Sequence, residues 1–141
     1  MTFDEKNAWA FGIIAVLTYA AYAIWVLGQA REMPLVEVAY VWPMITAIVA
    51  AIILGIVATI VISILRPSEA GVRDERDREI SRRGEQTGQS MVVIGALAVI
   101  VLAMIEAPYF WIANAMYLAF VLSAVLGTLT KIAGYRVGLP A

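Results

Sequence analysis

The chain has 141 residues, 62% of them hydrophobic, and a formal net charge of -1. Soluble domains are about 45–50% apolar, and here the excess is gathered into long runs, the pattern a bilayer imposes. Cysteine and histidine are absent, which removes disulfides, thiolate or imidazole metal sites, histidine-ligated haem, cysteine nucleophiles and histidine proton relays. No cofactor is therefore expected, the near-neutral balance gives no footprint for direct nucleic-acid binding, and the length fits one domain.

The first residues, Met1-Thr2-Phe3-Asp4-Glu5-Lys6-Asn7, lack the basic start of a secretory signal, so the apolar run after them reads as a retained helix. Four runs predict membrane spans, over 8–27, 38–65, 87–105 and 109–130. A hydrocarbon core of about 30 Å needs about 20 helical residues. The run over 38–65 exceeds that and should tilt or protrude. Pro43 lies in its first turns, where a missing N–H costs little.

The spans pair as two hairpins. The first turns around Arg31-Glu32-Met33-Pro34, the second very tightly at Glu106-Ala107-Pro108, with Pro108 placed to open the fourth span. Tyr40-Val41-Trp42 and Tyr109-Phe110-Trp111 open the second helix of each hairpin, a hint of a repeated two-helix unit. The fold class is thus an all-α membrane protein of four transmembrane helices. Of ten Lys and Arg residues, Arg31 alone falls on one side of the bilayer. That asymmetry predicts cytoplasmic N- and C-termini. Trp9, Trp25, Trp42, Tyr109, Trp111 and Tyr135 fall near span ends, as interfacial aromatics do.

Small residues recur every four positions in two spans. Ala47, Ala51, Gly55, Thr59 and Ser63 mark the second, and Ala115, Ala119, Ser123 and Gly127 the fourth. Such stripes let backbones approach closely in lipid. They predict helix packing within one subunit, or an interface between subunits of a homo-oligomer; a pore lining would call for more polar groups.

No Asp, Glu, Lys or Arg stands at mid-depth in any span. A charge there costs at least about 2.5–3.5 kcal/mol and marks transport or relay sites, so a proton-coupled carrier is disfavoured. Asn114, in the second turn of the fourth span, is the most polar residue inside a span; an interhelical hydrogen bond accounts for it. Glu106 at the turn reads as a solvated carboxylate. Glu106, Asn114 and Tyr109 together form a candidate polar site on the outer face.

The connection between spans two and three is the most specific stretch. It reads Arg73-Asp74-Glu75-Arg76-Asp77-Arg78-Glu79-Ile80-Ser81-Arg82-Arg83-Gly84-Glu85, with Gly71 and Gly84 flanking the charges. Asp74 with Arg78, and Glu79 with Arg83, stand at helical spacing. The pattern predicts a short charged helix over 73–85 leading into span three. One reading is a solvated connector whose arginines fix topology. Another is a docking surface for a cytoplasmic partner, carried by Arg73, Asp74, Arg76, Asp77, Arg78, Arg82 and Arg83. Lipid headgroup binding is a third, weakened by acids that nearly cancel the arginines.

This loop with Gly88-Gln89-Ser90-Met91-Val92-Val93, the segments Phe110-Trp111-Ile112-Ala113-Asn114 and Phe120-Val121-Leu122-Ser123-Ala124-Val125-Leu126-Gly127, and the closing Lys131 and Tyr135-Arg136 carry a resemblance over nearly the whole chain. It resembles an uncharacterised family of small bacterial, mainly actinobacterial, four-helix integral membrane proteins. Relatives carry Asp-His before the Phe-Trp pair, where this chain has Pro108-Tyr109. The resemblance implies a bacterial inner membrane and, since some relatives are encoded beside small helix-turn-helix regulators, a cytoplasmic regulator as partner. The expected function is that of a non-enzymatic membrane protein acting through contacts, as scaffold, accessory subunit or regulator partner. The alternative is a small oligomeric channel or transporter with a path between subunits. An enzyme is disfavoured, because no paired mid-membrane carboxylates or nucleophile–base set occurs.

Overall fold

A computed structural model describes residues 3–65 and 75–137. They form four long helices, α1 (Phe3–Gln29), α2 (Val41–Leu65), α3 (Glu75–Met104) and α4 (Tyr109–Arg136), with one turn of 3-10 helix at Leu35–Glu37 and no strand among the described residues. All four are long and apolar enough to cross a membrane. The run from Ile45 to Leu65 is rich in Val and Ile, which favour strands in water. In lipid every backbone N–H and C=O must be satisfied within the segment, and that requirement makes α2 a helix despite its composition.

Helix α1 packs on α2 and on α4, and α4 packs most extensively of all on α3. The order across the layer is therefore α2, α1, α4, α3. Each hairpin is a contacting pair, and α1 with α4 joins the hairpins. The outward surface is a continuous apolar coat that includes Ile52, Ile56, Ile60, Val93, Leu97, Ile100 and Phe120. One end of the layer holds the two hairpin turns. The other, the charged end, holds Glu5, Arg76, Lys131 and Arg136.

Both turns are fixed by proline and by local hydrogen bonds. At the first, Pro34 starts the 3-10 turn, with Glu37 N–H donating to the Pro34 carbonyl at 2.9 Å. Val38 then adopts an extended conformation (φ -64°, ψ 135°), and its side chain is buried. Helix α2 consequently begins at Val41 rather than at 38, because Val38 joins the core instead of a helical turn. Pro43 sits at the third helical position, where its absent N–H would have had no intrahelical acceptor. At the second turn α3 ends in a Schellman arrangement. The Glu106 N–H donates to the Ala103 carbonyl at 3.1 Å and the Ala107 N–H to the Leu102 carbonyl at 2.9 Å. Glu106 itself is left-handed, with φ 56°. Pro108 follows as the N-cap of α4.

Helices α1, α3 and α4 outrun the spans expected from hydropathy. Helix α1 adds polar residues before Ala8, and α4 continues past Thr130 to Arg136. From Glu75 onward the charged segment and span three are one unbroken helix, α3.

The core sits at the loop end. Tyr22 and Val26 of α1, Val38, and Phe110 and Tyr117 of α4 form it, with Tyr19, Tyr40 and Met44 packed against them. The rings of Tyr19, Tyr22 and Tyr117 meet at centroid distances of 5.1–6.1 Å, and Tyr40 meets Phe110 edge-on at 5.4 Å. These tilted and T-shaped pairings add about 0.5–1.5 kcal/mol each beyond area burial. Through Tyr40 and Met44 the start of α2 reaches this cluster. Towards the charged end, the close helix contacts have a glycine or another small residue on at least one side.

Candidate functional site

The charged segment draws its rigidity from a seam along α3 and α4. Added to Gly95, a Cβ would lie 2.2 Å from Ala119 Cβ. At Gly88 it would lie 2.8 Å from Ser123 Oγ, and at Gly127 it would lie 3.0 Å from the Gly84 carbonyl. The antiparallel helices thus approach closely at three successive levels, a glycine against a small residue or another glycine at each. The α4 stripe of Ala119, Ser123 and Gly127 is met by an α3 stripe of Gly84, Gly88 and Gly95, which the sequence reading missed. Its spacing of four and seven residues was the available signal. In α2, Ala51, Gly55 and Thr59 belong to the stripe that turns toward α1. A Cβ on Gly55 would lie 2.9 Å from the Phe11 ring, and Thr59 Oγ1 lies 2.9 Å from Asn7 Oδ1 and 3.0 Å from the Gly55 carbonyl. Its one proton serves one of these acceptors at a time.

The seam does not stop where the apolar run stops. Ile80, the one large apolar residue in the charged stretch, is 0% exposed. A Cβ on Gly134 would lie 3.0 Å from it. Arg76 reaches the end of α4, its guanidinium donating to the Gly134 carbonyl at 3.1 Å and, more weakly, to the Tyr135 carbonyl at 3.4 Å. This places a cation against the negative end of the α4 dipole. A second tie joins α4 to α1, where Arg136 Nε stands 3.0 Å from the buried Glu5 carboxylate.

Of the expected charge pairs, Glu79 with Arg83 forms at 3.0 Å, and Arg82 shares the same carboxylate at 2.8 Å. Such exposed pairs contribute about 0.2–0.5 kcal/mol each. Burying Ile80 contributes about 1.5–3 kcal/mol. Docking on α4, rather than charge pairing, is what holds the segment. Arg76 and Arg83 are engaged within the chain. Arg78 makes no hydrogen bond or ion pair among the described residues, and Arg82 remains 68% exposed despite its bond to Glu79. With Glu85, Gln86 and Gln89 they form the outward stripe of the charged end. Arg73 and Asp74, and the side chain of Asp77, lie outside the described residues.

At the loop end, Asn114 is held between two partners. Its Nδ2 donates to the Phe110 carbonyl at 2.8 Å, and its Oδ1 accepts a hydrogen bond from the Tyr22 hydroxyl of α1. Tyr109 turns outward, 82% exposed, and Glu106 is exposed in the turn. The partner of Asn114 is therefore Tyr22, which the sequence reading did not single out. The Tyr117 hydroxyl beside them is buried without a hydrogen-bond partner among the described residues.

Comparison of the chain with models of protein families, with curated proteins and with solved structures gives no match in any of the three.

Proposed function

We propose that this is a bacterial inner-membrane protein that acts by contact, without catalysis, offering the outward stripe of α3 to a cytoplasmic protein. The observation that carries the reading is the docking of the charged segment on α4 through Ile80 and Arg76. A loop needed only for orientation could keep its arginines in any order on a loose chain. Here the described arginines stand on a helix held against α4, which lowers the ordering cost of association. The ten Lys and Arg residues, with Arg31 alone on the opposite side, support an N-in, C-in orientation that puts this stripe in the cytoplasm. The resemblance to small four-helix membrane proteins encoded beside regulators supports a regulatory partner.

The test is a photo-crosslinking amino acid placed at Gln86 in living cells, with Ile100 on the lipid-facing surface as control. A discrete protein adduct at Gln86, absent at Ile100 and lost when Arg78→Glu and Arg82→Glu are added, is the expected result. Adducts only to lipid, or a protein adduct indifferent to both charge reversals, would refute the reading.

A further inference from the structure

Helices α1 and α3 both lean on α4 at the charged end without closing on each other, and a cleft of about 550 Å³ lies between them. That volume is within the usual range of ligand sites, about 300–1,000 Å³. Its walls bring together Asn7 of α1, Glu85 of α3, and Ser123, Thr128 and Lys131 of α4. The glycines at 84, 88 and 127 form part of the same wall, so the seam that joins α3 to α4 also hollows this space.

Four of the polar groups here, those of Ser123, Thr128, Lys131 and Glu85, are unspent among the described residues. Elsewhere in the chain the hydroxyls of Thr18, Thr59, Ser63, Thr87, Ser90 and Thr130 donate to the carbonyl four residues back. Ser123 and Thr128 make no hydrogen bond among the described residues, although the same carbonyls stand behind them. Lys131, half-buried and laid along Gly84, has no acceptor or acid partner among the described residues. Glu85 lines the same cleft and forms no ion pair with it. One cation and one anion therefore face a shared space without meeting. From Lys131 at the mouth to Ser123 in the depth the cleft follows eight helical residues, about 12 Å along α4.

We propose that this cleft binds a phosphodiester that carries a primary ammonium, the headgroup chemistry of phosphatidylethanolamine. The phosphate sits on Lys131 with the Thr128 hydroxyl donating to it, and the ammonium donates to the Glu85 carboxylate. Ser123, deeper in the bilayer, donates to an ester oxygen of the glycerol backbone. Each charge of the cleft then gains its complement from one dipolar ligand. The site adjoins the contact surface proposed above and shares Glu85 with it, but Arg78 and Arg82, whose reversal tests that surface, take no part in the cleft.

The experiment reconstitutes the full chain in nanodiscs containing phosphatidylcholine, phosphatidylglycerol and phosphatidylethanolamine in equal amounts. The protein is then extracted in mild detergent and its retained lipids are counted by native mass spectrometry. The expected result is preferential retention of phosphatidylethanolamine, lowered about tenfold or more in Lys131→Gln and in Glu85→Gln, since each removes a charged hydrogen-bond partner. The near-isosteric Thr128→Val should lower it less. Unfolding midpoints of all variants are measured alongside, and Thr128→Val, which preserves shape, keeps the test decisive should a charge variant fold poorly. Soluble glycerophosphoethanolamine distinguishes the source. If it displaces the lipid, the cleft takes the free phosphodiester; if it does not, the membrane supplies the ligand. Equal retention of the three lipids, or preference for phosphatidylglycerol, overturns the proposal, as does phosphatidylethanolamine retention unchanged in all three variants.

Discussion

Replacing Gly95 by alanine tests the seam between α3 and α4 at its tightest point. The added Cβ would stand 2.2 Å from Ala119 Cβ, and ordinary contact begins at 3.4 Å, so the two atoms must part by at least 1.2 Å. Neither atom can rotate away, because each is fixed to its backbone, and the helices themselves must move. A radial gap of 0.5–1 Å already forfeits about a quarter to a half of a dispersion contact. Overpacking of this kind costs about 1–3 kcal/mol. Removing a glycine from a helix interior returns about 0.5–1 kcal/mol. The net expectation is a loss of up to about 2.5 kcal/mol, read from equilibrium unfolding in mixed detergent micelles. Gly28→Ala is the control, for its Cβ would meet nothing within 4 Å. It should be neutral or stabilise by about 0.4–1 kcal/mol. The double variant Gly95→Ala with Ala119→Gly moves the methyl from one helix to the other and should recover most of the loss, a direct coupling between the two positions. Were Gly95→Ala to unfold like Gly28→Ala, α3 and α4 would not approach as described, and the account of the charged segment would fall with the seam.

Tyr22→Phe should destabilise by about 0.6–1.7 kcal/mol, the range for single hydrogen bonds between membrane helices, and Tyr22→Phe combined with Asn114→Leu should cost less than the two separate losses added together; strict additivity would show that the two side chains do not interact. Ile80→Ala should free the charged segment, raising the mobility of a spin label at Arg82 while leaving a label at Ile100 unchanged, and costing about 2–5 kcal/mol in stability; an unchanged Arg82 spectrum would mean that Ile80 does not anchor it. Cysteines at Glu32 and at Gln86 test the orientation in intact cells, where the first should react with an impermeant maleimide and the second should not. Labelling of Gln86→Cys from outside would invert the topology and remove the proposed cytoplasmic surface.

The four helices were legible because lipid leaves the backbone few options, and a run of about 20 apolar residues has one solution. The tight second turn was legible too, since Pro108 can begin a helix but not continue one. The start of α2 was not, because hydropathy treats Val38 as one more apolar residue. Only the packed structure shows that its side chain lies between α1 and α4 before the helix begins. Asn114 stood out as a polar residue needing a partner, but its partner lies 92 residues away on α1. That pairing depends on the rotation and register of two helices, which periodicity alone does not fix. Ile80 stands in the sequence as one residue of the charged segment, which reads there as a short helix leading into span three, and nothing in that reading sets it apart as an anchor. What it needed was Gly134, whose missing side chain makes the socket.

The placement of the glycines explains why the two ends of this layer differ. Between helices in lipid there is little hydrophobic driving force, so association depends on close packing and on hydrogen bonds. At the loop end the chain achieves this with aromatic rings from α1 and α4. At the charged end, where α3 must emerge from the bilayer with its arginines outward, the α3–α4 contact is made differently. Close backbone contact through Gly84, Gly88 and Gly127 works there because it needs no bulk, and Ile80 against Gly134 carries the contact one turn further. Such contact fills the space between two helices but none beside them. With α1 held on the far side of α4 by Arg136 and Glu5, a hollow beside the seam is the geometric consequence. Beside Ala8, Phe11 and Ala124, the lining of that hollow includes the polar groups of Ser123, Thr128, Lys131 and Glu85, where a hollow meant only to admit acyl chains would be apolar throughout.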